Sequence, residues 1–309
     1  MDKRQRPVVC ILAYNEEARI ADAITRILEG NRDSRPLVRV YANGCTDRTH
    51  EIVGKIAASN PDVELIEIAR ASKPNAWNQA FQENDNDILI FADADVMPGA
   101  GAVSAILSAF NANPKVELAC CESWPEFHGV SLEQKLTGLM QIPVNQDFLI
   151  GHFYGIRRAA FETYFAELGL SGLPEGIAGD DAFIDQLVPR DRFLLVDKKV
   201  KYQPPTFEDY FRYLGRIRWQ NEQISLFNAR QQRSDKAKAP AGRLTSLQEK
   251  LKTSRHPKRL VIGAATATLR MLFKTLNRKR IEAAYRNIGP VETDGAWVLS
   301  QATRSSSVK

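Results

Sequence analysis

An α/β fold with a mostly parallel central sheet flanked by helices follows from two observations on this chain. Short runs that are apolar at nearly every position recur through its first half, and segments of helical periodicity separate them. A run that stays apolar instead of alternating belongs to a strand buried on both faces. Strands that alternate with helices at this spacing lie parallel and are joined by right-handed crossovers.

The elements follow in order. Val8-Val9-Cys10-Ile11-Leu12-Ala13 is the first strand. Ile20, Ile24, Ile27 and Leu28 give 16–28 a helical period, and Gly30 can end it. Leu37-Val38-Arg39-Val40-Tyr41 is the second strand, and a helix over 46–58 can be capped by Thr46 or Asp47. Residues 63–68 form the third strand, 73–82 a helix and 87–92 the fourth strand. A helix over 102–111 and a strand over 116–121 continue the pattern.

Beyond that the chain is less regular. Helices are expected over 132–142, 180–188 and 207–229, with a strand over 152–156 and strand and turn over 192–202. A catalytic domain over 1–230 would then be followed by a polar linker, 231–243, and a helical extension, 244–309, with a frayed tail. In the extension, Leu269, Leu272, Phe273 and Leu276 make one helix face, and Arg270, Lys274 and Arg278 another. Such a helix packs on the domain or lies on an anionic membrane surface.

Of the 309 residues, 44% are hydrophobic and 26% charged, the balance of a soluble globular protein. The net charge of +5 suits anionic partners such as nucleotide phosphates or acidic lipid and does not single out nucleic acid, so no nucleic-acid partner is expected. No apolar run approaches the roughly 20 residues that span a bilayer. A cytoplasmic protein, with peripheral attachment to the inner face of the membrane as the variant, is the expectation. The four cysteines (Cys10, Cys45, Cys120, Cys121) form no Cys-X-X-Cys pair and read as reduced thiols.

Asp93-Ala94-Asp95 is the chain's most informative stretch. It ends the apolar run 88–92 and so lies at the carboxyl edge of the sheet, where open α/β sheets bind ligands. A hard divalent cation takes one or two carboxylates plus substrate phosphates. Asp-X-Asp after a strand is also ordinary turn chemistry.

Seven segments in order resemble the family-2 glycosyltransferases of the GT-A fold, over about 7–230. They are Ile11-Leu12-Ala13-Tyr14-Asn15-Glu16-Glu17, Asn43-Gly44-Cys45-Thr46-Asp47-Arg48-Thr49, Lys73-Pro74-Asn75-Ala76-Trp77-Asn78-Gln79-Ala80, Asp93-Ala94-Asp95, Gly155-Ile156-Arg157-Arg158, Gly179-Asp180-Asp181 and Arg216-Ile217-Arg218-Trp219. The resemblance implies transfer of a sugar from a nucleotide-diphosphate donor, aided by Mg²⁺ or Mn²⁺. Asp95 matches the metal ligand, and Asp93 matches a ribose contact that shares the metal. Asp181 matches the general base, with Asp180 as its support or alternative. Ala13, Tyr14, Asn15, Glu16, Asn43, Asp47, Lys73, Asn78, Ala94, Arg216 and Arg218 fall at donor-binding positions. His152, Tyr154 and Trp219 fall at acceptor-binding positions.

Lys73 opens a helix, where a cation is unfavourable unless an anion is near, which fits a diphosphate neighbour. Two departures matter. Ala42 stands where the family has an acidic contact to uracil, so a uridine diphosphate sugar is the first choice of donor only narrowly over guanosine or thymidine diphosphate sugars. Gly215 stands where processive members have Gln, which points to a non-processive transfer to an acceptor hydroxyl on a saccharide or lipid-linked carrier; in-line attack with Asp181 as base would invert the anomeric carbon, with retention as the alternative. The rivals are a sugar nucleotidyltransferase, which the absence of glycine in Ala13-Tyr14-Asn15-Glu16-Glu17 disfavours, and an inactive nucleotide-sugar-binding protein of the same fold.

Overall fold

The computed structural model describes residues 6–143, 146–233, 257–288, 291–293 and 296–298. Two compact units divide the chain. Unit 1 holds Met1–Trp124, Phe148–Pro174 and Asp180–Tyr202; unit 2 holds Pro125–Asp147, Glu175–Gly179 and Gln203–Lys309. This division differs from the expected boundary at 230, because 125–147 groups with the C-terminal helices.

Unit 1 is built on an eight-stranded sheet. Its strands are β1 (Val8–Ala13), β2 (Leu37–Asn43), β3 (Val63–Ile68), β4 (Ile88–Asp93), β5 (Val96–Pro98), β6 (Leu118–Pro125), β7 (Phe153–Arg157) and β8 (Phe193–Tyr202), in the spatial order β3-β2-β1-β4-β7-β6-β8-β5. The pairs β3–β2, β2–β1 and β1–β4 are parallel. The pairs β4–β7 and β7–β6 are antiparallel. β6 therefore continues the direction of β4, as expected, but β7 is inserted between them with opposite sense. β5, too short to read in the sequence, pairs antiparallel with β8.

Both faces of the sheet are covered, which is why β1 is buried at every position. On one face, α1 (Ile20–Gly30), α2 (Thr49–Ser59) and α4 (Ala102–Ala112) pack an aliphatic core that includes Val9, Ile11, Ile24, Val53, Val103 and Ile106. On the other, α3 (Lys73–Glu83) and α6 (Arg158–Glu167) bring an aromatic core onto β4 and β7. Trp77 stacks on Phe81 and Phe91, Phe91 on Tyr154, and Phe165 meets Trp77 edge-on. A short helix, α7 (Asp180–Leu187), closes the unit's helix set.

Unit 2 contains α5 (Leu132–Gln141), α8 (Phe207–Arg233), α9 (Pro257–Leu276) and α10 (Arg278–Ile288). A capping box of Ser131 and Gln134 starts α5. Met140, Tyr210 and Leu214 form its core, with Leu269, Phe273 and Ile281 packed against them. Arg270 donates to the carbonyls of Met140 and Ile142 at 2.6 and 3.2 Å and so satisfies the C-terminal end of α5. The expected single apolar face of the extension is thus split. Leu269 and Phe273 pack inward, whereas Leu272 and Leu276 are 53% and 83% exposed. The expected linker begins later than 231, since α8 runs to Arg233; its remainder and the tail at 305–309 lie outside the described residues. No helix among the described residues is long and apolar enough to cross a membrane.

Candidate active site

Parallel β1, β2 and β4 present their carboxyl ends on one edge of unit 1, and the loops leaving them carry the expected site residues. Side-chain hydrogen bonds knit these loops together. Asn15 sits at φ 54°, a left-handed conformation that Asn tolerates. Its Oδ1 accepts from the Thr46 N–H at 2.8 Å. Asp47 accepts from the Thr49 N–H and hydroxyl at 3.0 and 2.6 Å and from the Glu17 N–H at 3.0 Å. That bonding delays the start of α2 to Thr49 from the expected 46. Asn43 is buried and accepts from the Ser72 N–H at 2.7 Å, tying the exit of β2 to the start of α3.

Asp93 ends β4, and Asp95 is the second residue of the two-residue turn, Ala94-Asp95, that leads into β5. Ala94 is packed in the aliphatic core and anchors that turn. The turn reading and the ligand reading therefore coexist: the turn sets two carboxylates at the sheet edge. Both are half-buried. Glu16 joins them. Burial, and then the charges of Asp95, Asp93 and Asp47, push its carboxyl up to about 8 against the pull of Arg19. Burial also raises the Asp93 carboxyl, against the attraction of Lys73.

Lys73 answers the question its helix position raised. Its Nζ lies 2.8 Å from Asp93 and 3.3 Å from Asp180. Burial lowers its pKa, but Asp180, Asp93 and Asp181 outweigh that and hold it charged. The anion at the start of α3 is supplied by the protein itself. Lys73 also joins two expected sites, the acidic turn and the start of α7, into one.

His152 precedes β7, whose inserted sense brings it beside β4; its carbonyl accepts from the Asp93 N–H at 3.0 Å. Its Nδ1 is 3.1 Å from the Ser123 hydroxyl, and its ring lies 4.7 Å from that of Tyr202. Burial lowers its pKa despite Asp93 and Asp95, so the imidazole is neutral at pH 7. Asp181 stands in the first turn of α7, where a carboxylate is favoured. Gly151 passes so close that a Cβ there would lie 2.9 Å from the Asp181 Cβ. Ser123, Tyr202 and Gly151 were missed in the sequence, where nothing local marks them.

Several expected residues are placed otherwise. Asn78 uses both ends of its amide on the backbone of Leu173, at 2.9 and 2.7 Å, and so tethers that segment instead of facing a donor. Tyr154 is 1% exposed within the aromatic core, where its hydroxyl accepts from Trp77 Nε1 at 2.9 Å; an acceptor does not reach it. Ala13 is fully buried, which leaves only its backbone for a ligand. Arg216, Arg218 and Trp219 lie on α8 of unit 2. Trp219 is buried, and Arg216 stacks over Tyr213. Arg218 pairs with Glu282 at 2.6 Å, covers the Tyr285 ring at 3.9 Å and lines a cavity of about 1420 Å³ with Glu222, Lys274 and Arg286.

The acidic site suits a hard cation. Among the described residues no three His, Cys, Asp or Glu side chains gather into a metal cage. Mg²⁺ needs none, since it takes one or two carboxylates and leaves its other positions to water and phosphate. An all-oxygen donor set selects Mg²⁺ or Mn²⁺ over softer metals. The charges of Asp95, Asp93 and Asp47 add to burial in raising the Glu16 carboxyl, so carboxylates crowd this edge of the sheet.

Residues 8–165, just over half of the chain, match the family model described as glycosyl transferase family 2. A stretch of 116 residues, 38% of this chain, is 23% identical to the poly-beta-1,6-N-acetyl-D-glucosamine synthase of Staphylococcus aureus (strain COL) and spans only 28% of that protein's length. Among solved structures, the chain is similar to the mannosyltransferase PcManGT from Pyrobaculum calidifontis in complex with GDP-Man and Mn²⁺. The TM-score is 0.56 and the identity 22%, over 92% of this chain and 85% of that one. It is also similar to S. aureus TarS 1–349 in complex with UDP-GlcNAc, with a TM-score of 0.51 and 12% identity over 91% and 79% of the two chains. At such identities these likenesses establish the fold, and they bear out the GT-A expectation.

Proposed function

Because the chain belongs to glycosyl transferase family 2, we propose that it moves a sugar from a nucleoside diphosphate sugar to an acceptor hydroxyl at the sheet edge of unit 1. The observation that supports this is the pairing of Lys73 with both Asp93 and Asp180, which joins the acidic turn to the start of α7. Asp95, with Asp93, would hold Mg²⁺ or Mn²⁺. When bound, that ion neutralises charge on the diphosphate leaving group. Tyr14 offers a ring to the base. The relatives' GDP-mannose and UDP-N-acetylglucosamine make both purine and pyrimidine donors worth testing, uridine first.

Asp181 is the general base. The acceptor oxygen forms its bond to the anomeric carbon as the bond to the diphosphate oxygen breaks, and the hydroxyl proton passes to the Asp181 carboxylate. A single displacement inverts the anomeric centre. Asp180 and Lys73 are positioning residues: their ion pair fixes the first turn of α7 relative to Asp93. The neutral His152 lines the same cleft beside Asp93 and meets the acceptor. The acceptor is a hydroxyl on a saccharide or a lipid-linked carrier.

The test is Asp181→Asn across UDP-, GDP- and dTDP-sugars with Mn²⁺. Donor-induced thermal stabilisation should persist while transfer falls about 100- to 10,000-fold, the usual worth of a general base. Wild-type turnover by Asp181→Asn would remove Asp181 from that role.

A further inference from the structure

Unit 2 carries two surface features that the transfer reaction does not use. The first is apolar exposure. Of the eight large hydrophobic side chains exposed among the described residues, seven are in unit 2: Leu132, Leu136 and Leu139 on α5, Leu226 on α8, and Met271, Leu272 and Leu276 on α9. Neither row is random. Leu132, Leu136 and Leu139 are spaced i, i+4, i+7, and Leu272 and Leu276 are spaced i, i+4, so each lies along one helix face. On α9 this row flanks Leu269 and Phe273, which pack inward.

The second feature is charge. Half of the chain's 42 Lys and Arg residues but only eight of its 37 Asp and Glu residues fall in 203–309. From Met271 to Arg280 there is no acid at all, and Lys274, Arg278, Lys279 and Arg280 are all exposed. Apolar side chains and cations thus alternate along the α9–α10 junction, where Glu222 and Glu282 are the acids lining the cavity beside Lys274, Arg278 and Lys279. Exposed leucines beside a carboxylate-free basic run favour a surface that is apolar within and anionic outside. That is the physical description of an anionic lipid bilayer. A protein partner would have to match a leucine row and a block of cations at once, and nucleic acid would leave Met271, Leu272 and Leu276 without a partner.

We propose that unit 2 docks on an anionic bilayer surface, with Met271, Leu272 and Leu276 entering the acyl boundary and Lys274, Arg278 and Lys279 meeting lipid phosphates. The docking is peripheral, and it stands independently of the transferase reading.

The test is sedimentation of the full chain with phosphatidylcholine vesicles, with and without phosphatidylglycerol. Binding should require phosphatidylglycerol and weaken with salt. Lys274→Glu/Arg278→Glu/Lys279→Glu should lose more than about a hundredfold in partition coefficient, since losing three cations at about fivefold each already gives that and the new carboxylates add repulsion. Leu272→Ser/Leu276→Ser should also abolish binding while thermal unfolding stays unchanged, because those side chains are already exposed. Absence of binding to either vesicle would overturn the proposal. So would equal binding to neutral vesicles that the charge reversal leaves unaltered. A soluble dimer that Leu272→Ser/Leu276→Ser converts to monomer, with no vesicle binding by either form, would assign the face to a second copy of the chain and overturn it as well.

Discussion

Glu16 is the residue whose chemistry is most exposed to experiment. Its carboxyl rises from 4.5 to about 8 in the fold, so the folded protein holds this proton more tightly than the unfolded chain does. Stability contributed by the neutral form is therefore present at low pH and declines as pH rises through that interval. Glu16→Gln stays neutral throughout. In EDTA its melting temperature should match wild type at about pH 4 and exceed it at about pH 9. Identical melting at both would show that the site does not crowd its carboxylates. At this scale the sequence disclosed identities better than roles. Asp93, Asp95, Asp180 and Lys73 were legible as chemistry from their positions at strand ends and helix starts. That Lys73 bridges Asp93 and Asp180 was not, because the partners are far apart in the chain and only the fold brings them to 2.8 and 3.3 Å. Asn15, Asn43, Asp47 and Asn78 were placed at donor positions by the resemblance to the family, which carries no information on their contacts within the protein. Here their hydrogen bonds hold the loops that shape the cleft.

At the scale of elements, the loop after β2 is the joint that sets the site's rim. Gly44 adopts φ +63°, and a Cβ there would stand 2.4 Å from the Ala71 N. Gly129 has a similar φ of +71° but open space around it. Gly44→Ala should cost about 3 kcal/mol in urea unfolding and Gly129→Ala about 1 kcal/mol, since only the first adds a clash to the strain. Equal costs would show that the loop beside Asn43 yields freely. Strands β1 and β4 were legible because burial on both faces makes them nearly continuously apolar, whereas β3, at the sheet edge, interleaves Glu64 and Glu67 with its apolar residues. The sense of β7 was not, because strand direction depends on what precedes it in space, and the path through 125–147 belongs to unit 2. β5 has three residues, too few to carry a pattern.

For the molecule as a whole, the helices after 257 are part of a core and not a detached extension. The Phe273 ring contacts those of Phe207, Tyr210 and Phe211 at 5.5 Å each. Phe273→Ala should cost about 2 kcal/mol, whereas Leu276→Ala should stay within about 0.5 kcal/mol, and calorimetry separates the two. Comparable losses would mean that Leu276 is covered in solution. The helical period over 269–276 was visible in the sequence, but which of its apolar residues face inward was not, since that depends on Arg270 reaching the end of α5. Above all, the proposed transfer requires the acidic turn to grip a nucleotide through a cation. Isothermal titration of UDP and GDP into wild type and Asp95→Asn, in Mn²⁺ and in EDTA, tests this most directly. Binding by the wild type in Mn²⁺ alone, lost in EDTA and in Asp95→Asn, is the result predicted. Equal affinity in EDTA, or in the variant, would contradict it.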